Sequence, residues 1–130
     1  MKMNDVKPSD LEMQILSVLW DKGDMTVREV LEAMPDGKKR AYTSILSVMQ
    51  VMEKKRLLKH SSKGTAHVYK PAMKREKIIQ PFMKKVLNEV FGGKPSAMMQ
   101  ALLSETPIDD EEMSQIQTII KEAKTAQSDK

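Results

Sequence analysis

Residues 41–71 read AYTSILSVMQVMEKKRLLKHSSKGTAHVYKP, and the apolar period changes part-way along. As far as Lys55, the residues Ile45, Val48, Met49 and Met52 recur at i, i+3, i+4 and i+7, which gathers them on one face of a helix. The opposite side offers Thr43, Ser44, Ser47 and Gln50, then Lys54 and Lys55, with no acid before Glu53. Beyond Arg56 the helical spacing stops. Leu57–Ser61 and Ala66–Lys70 read as two short strands, with Ser62-Lys63-Gly64-Thr65 as the turn between them. Gly64 stands where a positive φ is easiest, and Pro71 ends the hairpin. The spacing predicts a helix over about 41–56 and a wing over about 57–71.

Upstream, Ser9-Asp10-Leu11-Glu12 reads as a capping box with Pro8 just ahead of it. Leu11, Ile15, Val18 and Leu19 follow at helical spacing, widened by Leu16 and Trp20, to a stop at Lys22-Gly23. Trp20 sits among apolar neighbours and reads as core. Thr26-Val27-Arg28-Glu29 is a second capping box. It opens a short helix carrying Val27, Val30, Leu31 and Met34, which Pro35-Asp36-Gly37 stops. Three helices, the second short and the third polar on one side, followed by a two-stranded hairpin, spell a winged helix-turn-helix.

Downstream the pattern is helical again. Lys74–Phe91 carries Ile78, Ile79, Phe82, Met83, Val86, Leu87, Val90 and Phe91, with Pro81 inside, so the helix either kinks or restarts there. Gly92-Gly93 is a stop. Ser96–Leu103 is a short apolar helix with Met98, Met99, Leu102 and Leu103. Asp109-Asp110-Glu111-Glu112 suits the positive end of a helix dipole. The last helix carries Met113, Ile116, Ile119 and Ile120, and its polar tail from Lys124 is expected to fray. The expected fold is mainly α: a winged helix-turn-helix over 1–73 and a helical dimerisation arm over 74–130. The C-terminal helices are amphipathic and small for a core of their own. A two-fold homodimer buries them, through Phe82, Val86, Val90, Phe91, Met98, Met99, Leu102, Leu103, Met113, Ile116 and Ile120.

Composition narrows the function. A length of 130 residues suits one small domain with an appendage and leaves no room for a separate enzyme domain. No apolar run approaches the roughly 20 residues of a spanning helix, so no membrane insertion is expected. Residues 1–10 are polar and lack the apolar region of a secretory signal. The absence of cysteine excludes disulfides, thiolate metal sites and a cysteine nucleophile, and it fits a reducing cytoplasm. The net charge of +4 hides a steep division: −4 over residues 1–37, +10 over 38–77 and −2 over 78–130. A clustered basic block is the electrostatic footprint of a polyanion binder.

Helix 3 of a winged helix reads base edges in the major groove, for which Thr43, Ser44, Ser47 and Gln50 supply small donors and acceptors. Cations should flank that face, and Lys38, Lys39, Arg40, Lys54 and Lys55 do. Lys63 at the wing tip can reach a phosphate or the minor groove, and Thr26 and Arg28 at the start of helix 2 are placed to touch the DNA backbone. The expected partner is double-stranded DNA.

Three motifs together resemble the penicillinase-repressor family: Leu11–Trp20, Thr26–Val30 and Ala41–Gln50, supported by His67–Pro71 and Phe91-Gly92-Gly93. That family includes the beta-lactam and methicillin-resistance repressors and the copper-transport repressors. The resemblance spans roughly residues 9–122. It implies a homodimeric repressor on a palindromic operator, with base contacts at Thr43, Ser44 and Leu46 or Ser47. Tyr42 belongs to the same recognition-helix motif. The beta-lactam relatives tend to carry arginine where this chain has Leu46 and Val51, which implies a different operator. In that branch a regulatory protease cuts the short C-terminal helix. The equivalent bond here lies near Gln100-Ala101, and the identity of such a protease is open. The cysteine-rich metal sensor of the copper branch has no counterpart.

Twelve methionines invite a Cu(I) reading, since thioethers suit that ion, but most lie among apolar stripe residues and read as flexible filler. His60 and His67 are able to face each other across the wing, and two histidines make a poor zinc site. No cofactor and no metal are expected. No Ser/His/Asp set and no phosphate-cradling glycine loop occurs, so the chain reads as a non-enzyme. Two other classes stay open: a winged-helix protein-interaction module and a metal-responsive sensor. The first needs apolar anchors on a face that has few. The second needs a metal response in calorimetry.

Overall fold

In the computed structural model, which describes residues 8–128, the order is α1 (Asp10–Lys22), α2 (Val27–Ala33), α3 (Tyr42–Lys54), β1 (Leu58–Lys63), β2 (Ala66–Pro71), α4 (Arg75–Glu89), α5 (Pro95–Glu105) and α6 (Asp110–Ser128). The polar start of the chain, residues 1–7, lies outside the described residues. The chain divides into two compact units after Lys84.

In the first unit both predicted capping boxes form. The Ser9 hydroxyl accepts from the Glu12 N–H (3.2 Å) while the Ser9 N–H donates to the Glu12 carboxylate (2.9 Å). Thr26 and Glu29 repeat the pattern at 3.2 and 2.9 Å. Each box satisfies two backbone donors that a helix start leaves free. The core gathers Ile15, Leu16 and Leu19 of α1, Val30 of α2 and Ile45, Met49 and Met52 of α3. Leu58 and Tyr69 of the hairpin and Ile78 of α4 close it. Each such side chain contributes roughly 1.5–3 kcal/mol of apolar transfer. Trp20 packs on this core and donates its Nε1–H to the Met73 carbonyl (3.1 Å).

α3 ends in a Schellman motif: the Leu57 N–H donates to the Met52 carbonyl (2.9 Å) and the Arg56 N–H to that of Glu53 (3.0 Å). The left-handed residue is Arg56, φ 65°, where glycine is usual. The hairpin is antiparallel. Its register pairs Leu58 with Pro71, His60 with Tyr69 and Ser62 with His67 on one face. Lys59 pairs with Lys70, Ser61 with Val68 and Lys63 with Ala66 on the other. The connection is tighter than the four-residue turn expected. Ser62 and Lys63 join the ladder, and Gly64-Thr65 alone turn the chain, Gly64 at φ 65°. Met25 and Tyr69 exchange backbone bonds of 3.0 and 2.8 Å, tying the start of α2 to the wing.

α4 runs unbroken through Pro81, so no new helix starts there. Gly92 and Gly93 both take positive φ, and the Gly93 N–H donates to the Leu87 carbonyl (2.8 Å). In the second unit, Pro95 occupies the first turn of α5 and the Asp109 carboxylate caps the Glu112 N–H (2.8 Å). α6 does not fray at Lys124 but continues to Ser128, because its last turns, with Ala123, Lys124, Ala126 and Gln127, are rich in good helix formers. Neither α5 nor α6 buries a residue.

Candidate nucleic-acid interface

Successive residues of α3 step 100° around its axis, so burial of Ile45, Met49 and Met52 decides what the far side shows. Thr43, Ser47, Gln50 and Lys54 fall opposite the core as one exposed stripe along the helix. Tyr42, Leu46 and Glu53 border the stripe on one side, Ser44 and Val51 on the other. Three neutral donor-acceptor side chains ending in a lysine can pair with base edges and then a phosphate. Tyr42 is exposed and the Arg28 guanidinium lies over its ring, 5.1 Å from the centroid. The start of α2 is thereby joined to the start of α3.

The expected flanking cations are not all alike. Lys39 and Lys54 are exposed and make no ion pair among the described residues. Arg40 grips Asp36 with both guanidinium arms (2.9 and 2.6 Å), and the Lys38 N–H reaches the same carboxylate (3.1 Å). The Arg40 guanidinium, with that N–H, holds the Asp36 carboxyl well below the usual carboxylate range. The loop before α3 is ordered by this pair. The Thr26 N–H and hydroxyl hold the Glu29 carboxyl low, and the charge of Lys63 at the wing tip adds to the effect.

Lys55 is placed elsewhere than on the reading face. Its Nζ binds the Glu12 carboxylate of α1 at 2.9 Å, and Glu12 is buried. Burial pushes the Glu12 carboxyl up, but the Ser9 N–H, Lys55 and the Ser9 hydroxyl outweigh it and hold it below its ordinary value. The spacing that put Lys55 beside Lys54 conceals the 100° between them.

Of the apolar residues expected at a dimer interface, Val90, Leu102 and Ile120 are exposed by 69, 55 and 58%. Val86, Met99 and Met113 are exposed to a lesser degree, and Phe91, Met98, Leu103 and Ile116 are half-buried. Phe82 packs against the core of the first unit. Three features escaped sequence reasoning: the Lys55–Glu12 pair, the left-handed Arg56, and a cluster in which Glu53 of α3 meets His60 of the wing and His67 stacks on that ring. The last was half-visible, since the strand register sets His60 and His67 on one face of the wing.

Residues 8–122 match the profile of the penicillinase repressor family. The chain belongs to that family. Among its relatives is the penicillinase repressor of Bacillus licheniformis, 23% identical over 116 residues, covering 89% of this chain and 91% of that protein. Another is the transcriptional regulator BlaI of Mycobacterium tuberculosis (strain CDC 1551 / Oshkosh), 33% identical over 75 residues, covering 57% of this chain and 54% of its own. The solution structure of the Bacillus licheniformis BlaI monomeric form in complex with the blaP half-operator is similar at a TM-score of 0.48 and 22% identity, over 55% of this chain and 88% of that one. The penicillinase repressor family is one of transcriptional repressors, not enzymes, and the first unit has the three helices and two-stranded hairpin of a winged helix-turn-helix. Among the described residues no helix is long and apolar enough to cross a membrane. None of their His, Asp or Glu side chains gather in a group of three that could hold a metal.

Proposed function

We propose that this chain is a homodimeric, sequence-specific DNA-binding repressor acting in the cytoplasm. Residues 1–73 form its DNA-binding domain and 74–130 its dimerisation region. α3 enters the major groove, and the wing lies on the backbone. The observation that carries this reading is the exposed stripe Thr43, Ser47, Gln50 and Lys54 on a helix whose other face is core. Family membership supports the same reading. The dimer rests on the exposed apolar side chains of α4, α5 and α6. A protease that cut α5 near Gln100-Ala101 would sever that region and release the DNA.

Selection of bound sites from random duplexes tests the proposal. The expected product is an inverted repeat whose half-sites lie about one DNA turn apart, or a multiple of it. Lys54→Ala or Lys63→Ala should weaken every sequence alike and lower the salt slope by about 0.9 each. Ser47→Ala or Gln50→Ala should instead change base preference, at about 1–3 kcal/mol per lost pairing. Binding without sequence enrichment, or indifferent to salt, would sink the idea.

A further inference from the structure

The basic block of residues 38–77 contains two acids, and one of them, Glu53, borders the reading stripe. It lies three residues after Gln50 and one before Lys54. Side chains three apart on a helix have Cβ atoms about 5–6 Å apart, inside the screening length of about 8 Å at 0.15 M salt. A bare carboxylate here repels the phosphates that Lys54 attracts. The fold gives it a partner from the wing: His60 Nδ1 lies 2.5 Å from the Glu53 carboxylate. His67 stacks on the His60 ring, centroids 4.4 Å apart and planes 17° apart. The chain has two histidines, and both are in this cluster.

Resting on the DNA-binding reading above, we propose that His60 is a positioning residue of the DNA interface: on protonation it cancels the charge of Glu53 beside the stripe, making DNA binding proton-linked. Histidine is the side chain whose unperturbed titration falls between pH 5 and 8. The groups that meet His60 are Glu53 from α3 and Tyr69 and His67 from β2; its strand neighbours Lys59 and Ser61 point to the other face. Burial, with Glu53 and Tyr42, pushes the Tyr69 phenol up, so it stays neutral. A second proton, on His67, would set two cations ring to ring. At 4.4 Å that repulsion is about 1 kcal/mol in water and larger where solvent is partly excluded.

The test is fluorescence anisotropy with the duplex most enriched in the selection, at pH 6 and pH 8 over a range of salt. Removing one interfacial negative charge should tighten wild-type binding about fivefold at pH 6 in 0.15 M salt, with a salt slope steeper by about 0.9. Glu53→Gln should bind at the tight level at both pH values. His60→Gln should bind at the weak level at both, and His67→Gln should keep the wild-type dependence. Melting curves establish that each variant is folded. A wild-type change under twofold overturns the inference, as does equal weakening by Glu53→Gln and His60→Gln, which would make the contact a clamp alone. A folded wild type that binds no duplex at either pH defeats the DNA-binding reading first, and this inference with it.

Discussion

The two units of this chain treat the same kind of helix in opposite ways. α1 and α3 bury most of their apolar stripes, down to Ile15, Leu16, Ile45 and Met49 at 0% exposure. α5 and α6 are also amphipathic, yet bury nothing, and leave Leu102, Ile119 and Ile120 more than half exposed. The difference is one of available partners. The first unit supplies three helices, a hairpin and the start of α4, enough surfaces to close a core. The second has about 46 residues, near the size below which a chain seldom closes one alone. The first unit is finished within one chain; in the second the apolar faces of α5 and α6 stay uncovered.

The contrast can be broken in several ways. The largest effect should come from Leu102→Glu combined with Ile120→Glu. Charges on those faces should leave a monomer in sedimentation and lower operator affinity about 100-fold or more, by loss of linked half-site binding. The first unit should keep its melting transition. A persistent dimer would place the interface elsewhere. Leu19→Ala should cost about 3 kcal/mol in urea unfolding, as a cavity in a sealed core does. Ile120→Ala, read on monomeric protein, should cost under about 0.5 kcal/mol. Similar losses at both sites would mean that the units are alike.

A smaller effect sharpens the account of the first unit. Glu12→Gln leaves Lys55 unpaired at a half-exposed position, so about 1–2 kcal/mol is expected, below the cost of a fully buried pair. The Glu12 carboxyl is held below its ordinary value of 4.5 in the fold. Its stabilisation is therefore complete above that pH and lost as pH falls through the lower folded value. Acid unfolding of the wild type should show this loss, and Glu12→Gln should flatten it. The smallest effect expected is a gain: Arg56→Gly relieves a left-handed backbone and should add up to about 1 kcal/mol in the same assay.

Much of the first unit was legible in the chain because its signals are local. A capping box spans four residues, and the Ser9 and Thr26 boxes form as spelled. The stripe of Ile45, Met49 and Met52 names its own opposite face, so Thr43, Ser47 and Gln50 could be read before any coordinates. The turn was misjudged because Ser62 and Lys63, polar and turn-like in composition, are held in the ladder by His67 and Ala66 across it. The tail of α6 was misjudged because polarity was taken for fraying, whereas alanine, lysine and glutamine favour helix whether or not they are buried.

The sequence by itself determined the order of the elements, the face of α3 that is free to read and the block of charge around it, because period, caps and composition act over a few residues. Only the tertiary structure decided which charges remain available for a partner. Lys54 and Lys55 are neighbours in the chain, but one helical step turns Lys55 onto Glu12, 43 residues away, and leaves Lys54 in solvent. Glu53 looked like a stray acid on a basic helix until the hairpin folded back and set His60 against it. Pairings of that kind depend on where distant backbone segments meet, and a local pattern does not encode that.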